Sequence, residues 1–519
     1  MTLLLVLVSL LAGSAPHIVL VLADDFGWHN AGFHPDSVPS DEIQTTNLNQ
    51  LAKEGVVLDR HYSYKICSPS RCSIQTGRLP VHVNVVNTAP EVFNRHDVVS
   101  GFAGIPRNMT GIATRLQEAG YRTHMSGKWD VGMATYEHTP LGRGYQSWIG
   151  YYHHANSYWN YGLPFESTGE VNICLNQFTD LSENNTAGKR FVTNPATYEE
   201  EWFLERSREV IMAHDTSRPL FLFHSFHIVH TPLQIPTEYL SRFDFINYEN
   251  RKKYAAMVYY MDQVIGQLVE ALKMKSMWEN TLLVFFSDNG GPVYSPGSSN
   301  NFPLKGGKYS DFEGGIRVNA LASGGWIPSN RRGTVSKDLI HISDWYATFL
   351  DIAGLDIADK QAEKAGLPLV DGISQRDVLL GSKHNLRTSI HVSEECLIEG
   401  HMKLVMGSQP MCMWQGPTYP NATGVQPTFL PKGMVCNDCV DGCLFDIFAD
   451  PTEHHDLAIE KSATLEAMKA RLGKLNENNF NPNRGHPDIR ACIQAIKNHG
   501  FYGPFLSEKD LMANRMEVL

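Results

Sequence analysis

Apolar residues recur along this chain in two rhythms. Continuous runs, HIVLVLA at 17–23, RPLFLFHSF at 218–226 and NTLLVFFS at 280–287, predict strands buried on both faces. Between them lie segments with apolar positions three and four apart, which predict amphipathic helices: LNQLAKEGVVL from Leu48, IATRLQEAGY from Ile112, TYEEEWFLERSREVIMA from Thr197 and RKKYAAMVYYMDQVIGQLVEALK from Arg251. Strand and helix alternating over this distance predict an α/β domain with a mostly parallel sheet flanked by helices. Polar, glycine-rich stretches at 182–190 and 291–307 predict surface loops.

The rhythm changes near residue 388. TSIHVSEE, HMKLVMG and CLFDIFADP read as short strands and SATLEAMKARLGKL as a helix. The expected division is a large domain at 16–388 and a smaller C-terminal α+β domain with an antiparallel sheet at 389–519. Ahead of both, MTLLLVLVSLLAGSA (1–15) reads as a signal peptide, with Gly13 and Ala15 as small residues before the cleavage point. A membrane anchor extended through PHIVLVLA is the alternative, but Gly13, Pro16 and His17 interrupt the run. Sequons at Asn108, Asn184 and Asn421 agree with the secretory pathway, secreted or lysosomal, with no stable membrane insertion.

Composition narrows the choice of partner. A chain of 519 residues with 42% hydrophobic and 19% charged residues is ordinarily globular, and a net charge of −11 excludes a global basic field for nucleic acid. An anionic substrate must be met by a local site. The nine cysteines are an odd number, so at least one has other employment, and the remaining eight are expected to pair. Cys436, Cys439 and Cys443 admit a zinc reading, but no histidine stands at finger spacing, and an oxidising compartment favours disulfides.

In an open α/β sheet the functional crevice lies beyond the carboxyl ends of the strands. Asp24 and Asp25 follow one predicted strand, and Asp288 and Asn289 follow another. Carboxylates gathered there call for a divalent cation, and all-oxygen ligation suits calcium or magnesium. Taken singly, Asp24 as a helix cap and Asp288 as a turn residue are the simpler readings. Cys67-Ser68-Pro69-Ser70-Arg71, followed by Thr76-Gly77-Arg78, changes that balance.

That string resembles the sulfatase signature in which the cysteine is oxidised to formylglycine. VLADDFGWHNAGFH, CSPSRCSIQTGR, GYRTHMSGKW, VHTPLQIP, FSDNGG and NNFPLKGGKYSDFEGGIR occur in that order, and together they resemble a type I sulfatase of the arylsulfatase B-like branch over nearly the whole chain. The resemblance implies an alkaline-phosphatase-like large domain and a hydrolase of sulfate esters. It implies one calcium ion held by Asp24, Asp25, Asp288, Asn289 and the modified Cys67. It also implies that Arg71, Lys128 and Lys308 hold sulfate oxygens, that His230 protonates the leaving oxygen, and that a formylglycine-generating enzyme acts during maturation. In the implied mechanism the hydrated aldehyde attacks sulfur and expels the alcohol, and loss of a second proton then expels sulfate.

One position departs from the family. The usual Gly-Lys-Trp-His-Leu-Gly is here Gly127-Lys128-Trp129-Asp130-Val131-Gly132, so the histidine given the second deprotonation is missing. Either Asp130 serves as that base or the protein is slow or inactive. His153 and His154 are near candidates without an assigned role. A phosphate ester hydrolase on the same fold, and a catalytically weak protein that binds sulfated glycans, are the competing functions.

Overall fold

A computed structural model of the protein describes residues 15–34, 40–87, 89–163, 173–382, 386–418 and 435–512. Residues 1–14 of the expected signal peptide and the sequon at Asn421 lie outside the described residues. The described strands of the large sheet are β1 (His17–Ala23), β2 (Val56–Leu58), β3 (Arg122–Gly127), β4 (Ser147–Gly150), β5 (Ser182–Glu183), β6 (Thr186–Ala187), β7 (Leu220–Ser225), β8 (Thr281–Ser287), β9 (Ala320–Ser323) and β10 (Thr334–Ser336). They form a ten-stranded sheet in the order β10-β2-β9-β8-β1-β7-β3-β4-β5-β6. Its centre, from β8 through β1, β7 and β3 to β4, is parallel throughout. The flanking pairs are mostly antiparallel.

β1 is apolar on both sides because both sides are covered. Ile18, Leu20 and Leu22 share a core with Ile74, Leu116, Trp345 and Phe349, carried on α2 (Cys67–Thr76), α3 (Ile112–Glu118) and α6 (Asp344–Ile352). Val19 and Val21 pack on the other face with Leu51, Ile211 and Leu268, from α1 (Thr46–Lys53), α4 (Glu199–Ala213) and α5 (Glu249–Met274). This period of two with no polar face is what helices on both sides of a parallel sheet require.

The second sheet is formed by β11 (Ser389–Ser393), β12 (Cys396–Glu399), β13 (Met402–Val405) and β14 (Cys443–Asp446), antiparallel in that order. α7 (Ser462–Asn476) covers one face through Leu465, Met468 and Leu472. The other face meets Tyr62, Phe312 and Ile316 of the large unit. Beyond α7 the chain returns to the large core: α8 (Arg490–Lys497) supplies Ala491 and Cys492, and Tyr502, Phe505 and Leu506 follow.

Three expectations are corrected. LNQLAKEGVVL is not one helix, because α1 stops at Lys53 and Val56–Leu58 is a strand. Gly55 sits where a Cβ would come within 2.2 Å of the Ala322 carbonyl, so the chain turns there onto the sheet edge, and the valines that follow suit a strand. The stretch 291–307 is largely buried, not a surface loop. Its polar residues satisfy the backbone internally: the Asn301 amide donates to Gly291 and Gly306, and Asn300 donates to Gly416.

The third correction concerns sulfur. The disulfides are Cys174–Cys492, Cys412–Cys436 and Cys439–Cys443, so the C-terminal cluster is bridged and not a zinc site. Cys72 and Cys396, expected to pair, are buried thiols. They lie in separate cores, one under the large sheet and one at the seam between sheets, and cannot meet. Of the described sequons, Asn184 is exposed at the tight turn between β5 and β6, where Asn184 and Asn185 take φ of 51° and 62° as such a turn requires, and Asn108 is half-buried.

Candidate active site

Every strand of the parallel centre that ends near the middle of the sheet delivers a polar residue to one crevice. β1 runs into Asp24 and Asp25, β8 into Asp288 and Asn289, and the Asp288 N–H donates to the Ala23 carbonyl at 3.1 Å, holding the two strand ends together. β3 ends on Gly127, whose φ of 98° and 1.8 Å virtual Cβ distance to the Ser225 carbonyl admit only glycine. That turn places Lys128 inward, its N–H bonded to Ser225. The loop after β7 brings His230.

Cys67 is the first residue of α2 and its side chain is fully buried, with Sγ 3.5 Å from Asp24 Oδ1. Arg71 lies one helical turn on, on the same face. Its Nε donates to Asp288 Oδ2 at 2.9 Å, its Nη2 is 3.2 Å from Asp24 Oδ2, and its Nη1 donates to Ser225 Oγ at 2.7 Å. Lys128 Nζ is 2.5 Å from Asp24 Oδ2. Lys308 Nζ is 2.9 Å from Asp25 and 3.1 Å from His230 Nε2. Three carboxylates thus face three cations, all almost completely buried.

This balance shows that the carboxylates do not need a metal merely to coexist. The donor set nevertheless fits one. Ligand atoms of Asp24, Asp25, Cys67 and His230 lie within 4.8 Å of one another. The Asn289 side chain donates to Asp25 Oδ1 at 2.7 Å, while its own Oδ1 is buried with no hydrogen-bond partner, an orphaned hard oxygen on a residue that touches the cluster.

The surroundings set the protonation states. Burial and the neighbouring Asp24 push the Cys67 thiol well up, so an unmodified Cys67 stays protonated and unreactive at neutral pH. Burial and Lys308 hold the His230 imidazole well below its usual range. His230 Nδ1 lies 2.6 Å from the Thr231 carbonyl and therefore carries the proton, leaving Nε2 to accept from Lys308. Asp130 has φ of 55°, a left-handed conformation that aspartate tolerates better than most side chains. Burial alone would raise its carboxyl, but His154, Lys128 and Arg71 outweigh that and bring it down to about 2.

The residues given a catalytic or metal-binding role from the sequence converge here, Asp130 through Lys128 Nζ at 3.8 Å. Sequence reasoning left three polar neighbours without a role. Ser225 pins Arg71, while Ser68 and His154 both bond to Asp130. His153 points elsewhere, locked between Glu91 at 2.9 Å and Asp180 at 2.6 Å.

Comparison with known proteins agrees with this geometry. A family model described as Sulfatase matches residues 16–355. The chain is 29% identical to arylsulfatase J of Mus musculus over 96% of this chain and 81% of that protein. It is 28% identical to N-acetylgalactosamine-6-sulfatase of Mus musculus over 94% and 92%, respectively. Among solved structures, Ps i-CgsB in complex with k-i-k-neocarrahexaose aligns with a TM-score of 0.70 and 25% identity, covering 96% of this chain and 99% of that one.

Proposed function

The chain belongs to the sulfatase family and is a sulfuric ester hydrolase, and from that premise we propose that it acts through formylglycine made from Cys67 and one calcium ion, on sulfate esters of carbohydrates. The observation that carries this reading is the convergence on one buried cysteine of three carboxylates, three cations and a histidine. Hydrated formylglycine would supply a nucleophile that a buried, protonated thiol cannot, and calcium held by Asp24, Asp25, Asp288, Asn289 and residue 67 would supply positive charge beside it.

The chain's own side chains do the rest. Arg71, Lys128 and Lys308 hold the sulfate oxygens and offset the negative charge that repels a nucleophile. Calcium on the carboxylates would free both lysines from Asp24 and Asp25 for that task. His230 and Lys308 act as one acid: the imidazole Nε2 accepts from the ammonium and passes a proton to the leaving oxygen. Asp130 takes the proton whose loss releases sulfate, in the place of the family's histidine. The carbohydrate substrate is inferred from relatives whose names specify an N-acetylgalactosamine sulfatase and from a structural neighbour holding a carrahexaose. The sulfated sugar, a formylglycine-generating enzyme in maturation, and passage through the secretory pathway to a secreted or lysosomal destination follow from the same reading, as do glycans at Asn108, Asn184 and Asn421 and a division of the chain near residue 388. Among the described residues no helix is long and apolar enough to cross a membrane.

The test is a mass spectrum of the peptide containing residue 67, paired with turnover of an aryl sulfate and an aryl phosphate. An aldehyde at 67 and preference for the sulfate are expected. An intact thiol in protein that still turns over aryl sulfate would overturn the mechanism.

A further inference from the structure

Asp130 is held by one oxygen and open at the other. Its Oδ1 accepts from Ser68 Oγ at 2.8 Å and lies 2.6 Å from His154 Nδ1. A carboxylate oxygen and an unprotonated ring nitrogen would repel at that distance, so His154 Nδ1 carries the proton and donates it. Ser68 Oγ is also 3.2 Å from the same nitrogen, closing a three-membered cluster. Asp130 Oδ2 is buried, has no hydrogen-bond partner, and sits 3.8 Å from Lys128 Nζ, which reaches Asp24 beside residue 67. The His154 side chain is 27% exposed, at the outer edge of the cluster.

We propose that His154 is a positioning residue for the reaction: by tying down Oδ1 of Asp130 through Nδ1–H, with Ser68, it keeps Oδ2 unpaired and turned toward Lys128 as the proton acceptor. This rests on the reading of Asp130 as the base. In that step the O–H bond of the residue-67 hydroxyl would break and a new O–H bond would form at Oδ2, while the freed electron pair makes the aldehyde C=O and the C–O bond to sulfate breaks with its pair on the departing sulfate. Without His154 the carboxylate is free to rotate on its left-handed backbone and turn the unpaired oxygen toward solvent. Burying an oxygen with no partner is costly, and the two bonds to Oδ1 are what sustain it. His153, sealed between Glu91 and Asp180, cannot take over.

Three variants of the calcium-loaded, modified enzyme test this. In His154→Ala the release of alcohol from an aryl sulfate should proceed at the wild-type rate in the first turnover, followed by sulfate release slowed about 10–100-fold, as for loss of an orienting partner. His154→Asn, whose amide donates from nearly the same place as Nδ1–H, should recover most of that loss. Asp130→Asn/His154→Ala should be no slower than Asp130→Asn alone, because the two groups act as one. Independently of turnover, NMR of the His154 ring should show a protonated Nδ1 in the wild type, with a hydrogen-bonded Nδ1–H resonance that moves upfield in Asp130→Asn. Unchanged sulfate release in His154→Ala, additive losses in the double variant, or a His154 Nδ1–H resonance indifferent to Asp130 would each overturn the proposal. Wild-type protein that carries an aldehyde at 67 and turns over aryl sulfate keeps the proposed function standing in any of those cases. If the wild type itself fails that check, the reading of the site falls first.

Discussion

At the crevice beyond β1 and β8 three carboxylates face three cations around Cys67, whereas at the seam between the two sheets Glu313 and Glu453 share Lys403. Both clusters are buried. At the seam the protein's own groups face each carboxylate oxygen closely: Lys403 donates to Glu313 Oε1 at 3.0 Å and is ion-paired with Glu453 Oε1 at 2.8 Å, Tyr62 donates to Glu313 Oε2 at 3.0 Å, and the Glu313 N–H donates to Glu453 Oε2 at 2.7 Å. Burial, with Glu313 nearby, pushes Glu453 up to about 7. In the crevice, by contrast, Asn289 Oδ1 has no hydrogen-bond partner, and Asp130 Oδ2 accepts no hydrogen bond and faces its cation, Lys128 Nζ, only at 3.8 Å. Closure of a charge cluster by the protein itself marks structure, and unfilled valence marks a place kept for something else.

The largest effect should come from opening the closed cluster. Lys403→Ala leaves two carboxylates buried without their shared cation and should cost about 3–5 kcal/mol in chemical denaturation. Turnover per folded molecule should hardly change, and a drop in that quantity would erase the contrast between the clusters. Arg71→Ala should do the reverse, lowering kcat/KM about 10²–10³-fold. Its thermal stability should fall further than that of the wild type on chelation, since calcium would be among the remaining counter-charges for Asp24 and Asp288. Equal responses to chelation would count against a metal on those residues.

The smallest effect is a slope. Burial alone would lower His153, but Glu91 and Asp180 more than reverse it and raise the imidazole to about 10. A group raised on folding adds stability that is fully present below its ordinary value near 6.5 and is lost as pH climbs through the raised value. Stability should therefore decline between pH 6.5 and 10, and His153→Gln should be less stable at neutral pH with a shallower decline. A melting series across that range reads both, and parallel curves would show that His153 does not carry the slope.

Much of this was legible before the fold was seen. β1, β7 and β8 announce themselves because a strand buried on both faces has nowhere to put a polar residue until it ends, and where each ends the functional residues begin. The turn at Gly55 was not legible, since the helical spacing of LNQLAKEGVVL runs on while the reason for stopping, the Ala322 carbonyl, is far away in sequence. The 291–307 segment misled for a related cause. Asparagines and serines read as solvent-facing, yet here they stand in for a regular hydrogen-bond ladder inside the molecule. Cys396 was paired by count, but the cysteines that share its core, Cys412, Cys436, Cys439 and Cys443, are bonded among themselves. His154 was a candidate beside His153 but without a role, because that role depends on a bond to Asp130 that only the chain's path brings about.

The complete burial of Cys67 has a consequence in time. If Cys67 is oxidised as proposed, an enzyme acting on its side chain could not reach it in the folded protein, so the oxidation would precede folding. The parts that finish the enclosure are synthesised long after Cys67. Cys492 bonds to Cys174 across a separation of 318 residues, Tyr502 donates its N–H to Thr179, and Phe505 and Leu506 donate theirs to Ala134, just past Asp130. On that reading the window for chemistry on residue 67 would open when its segment is made and shut when the returning chain docks, and a molecule that folded too soon would keep its thiol.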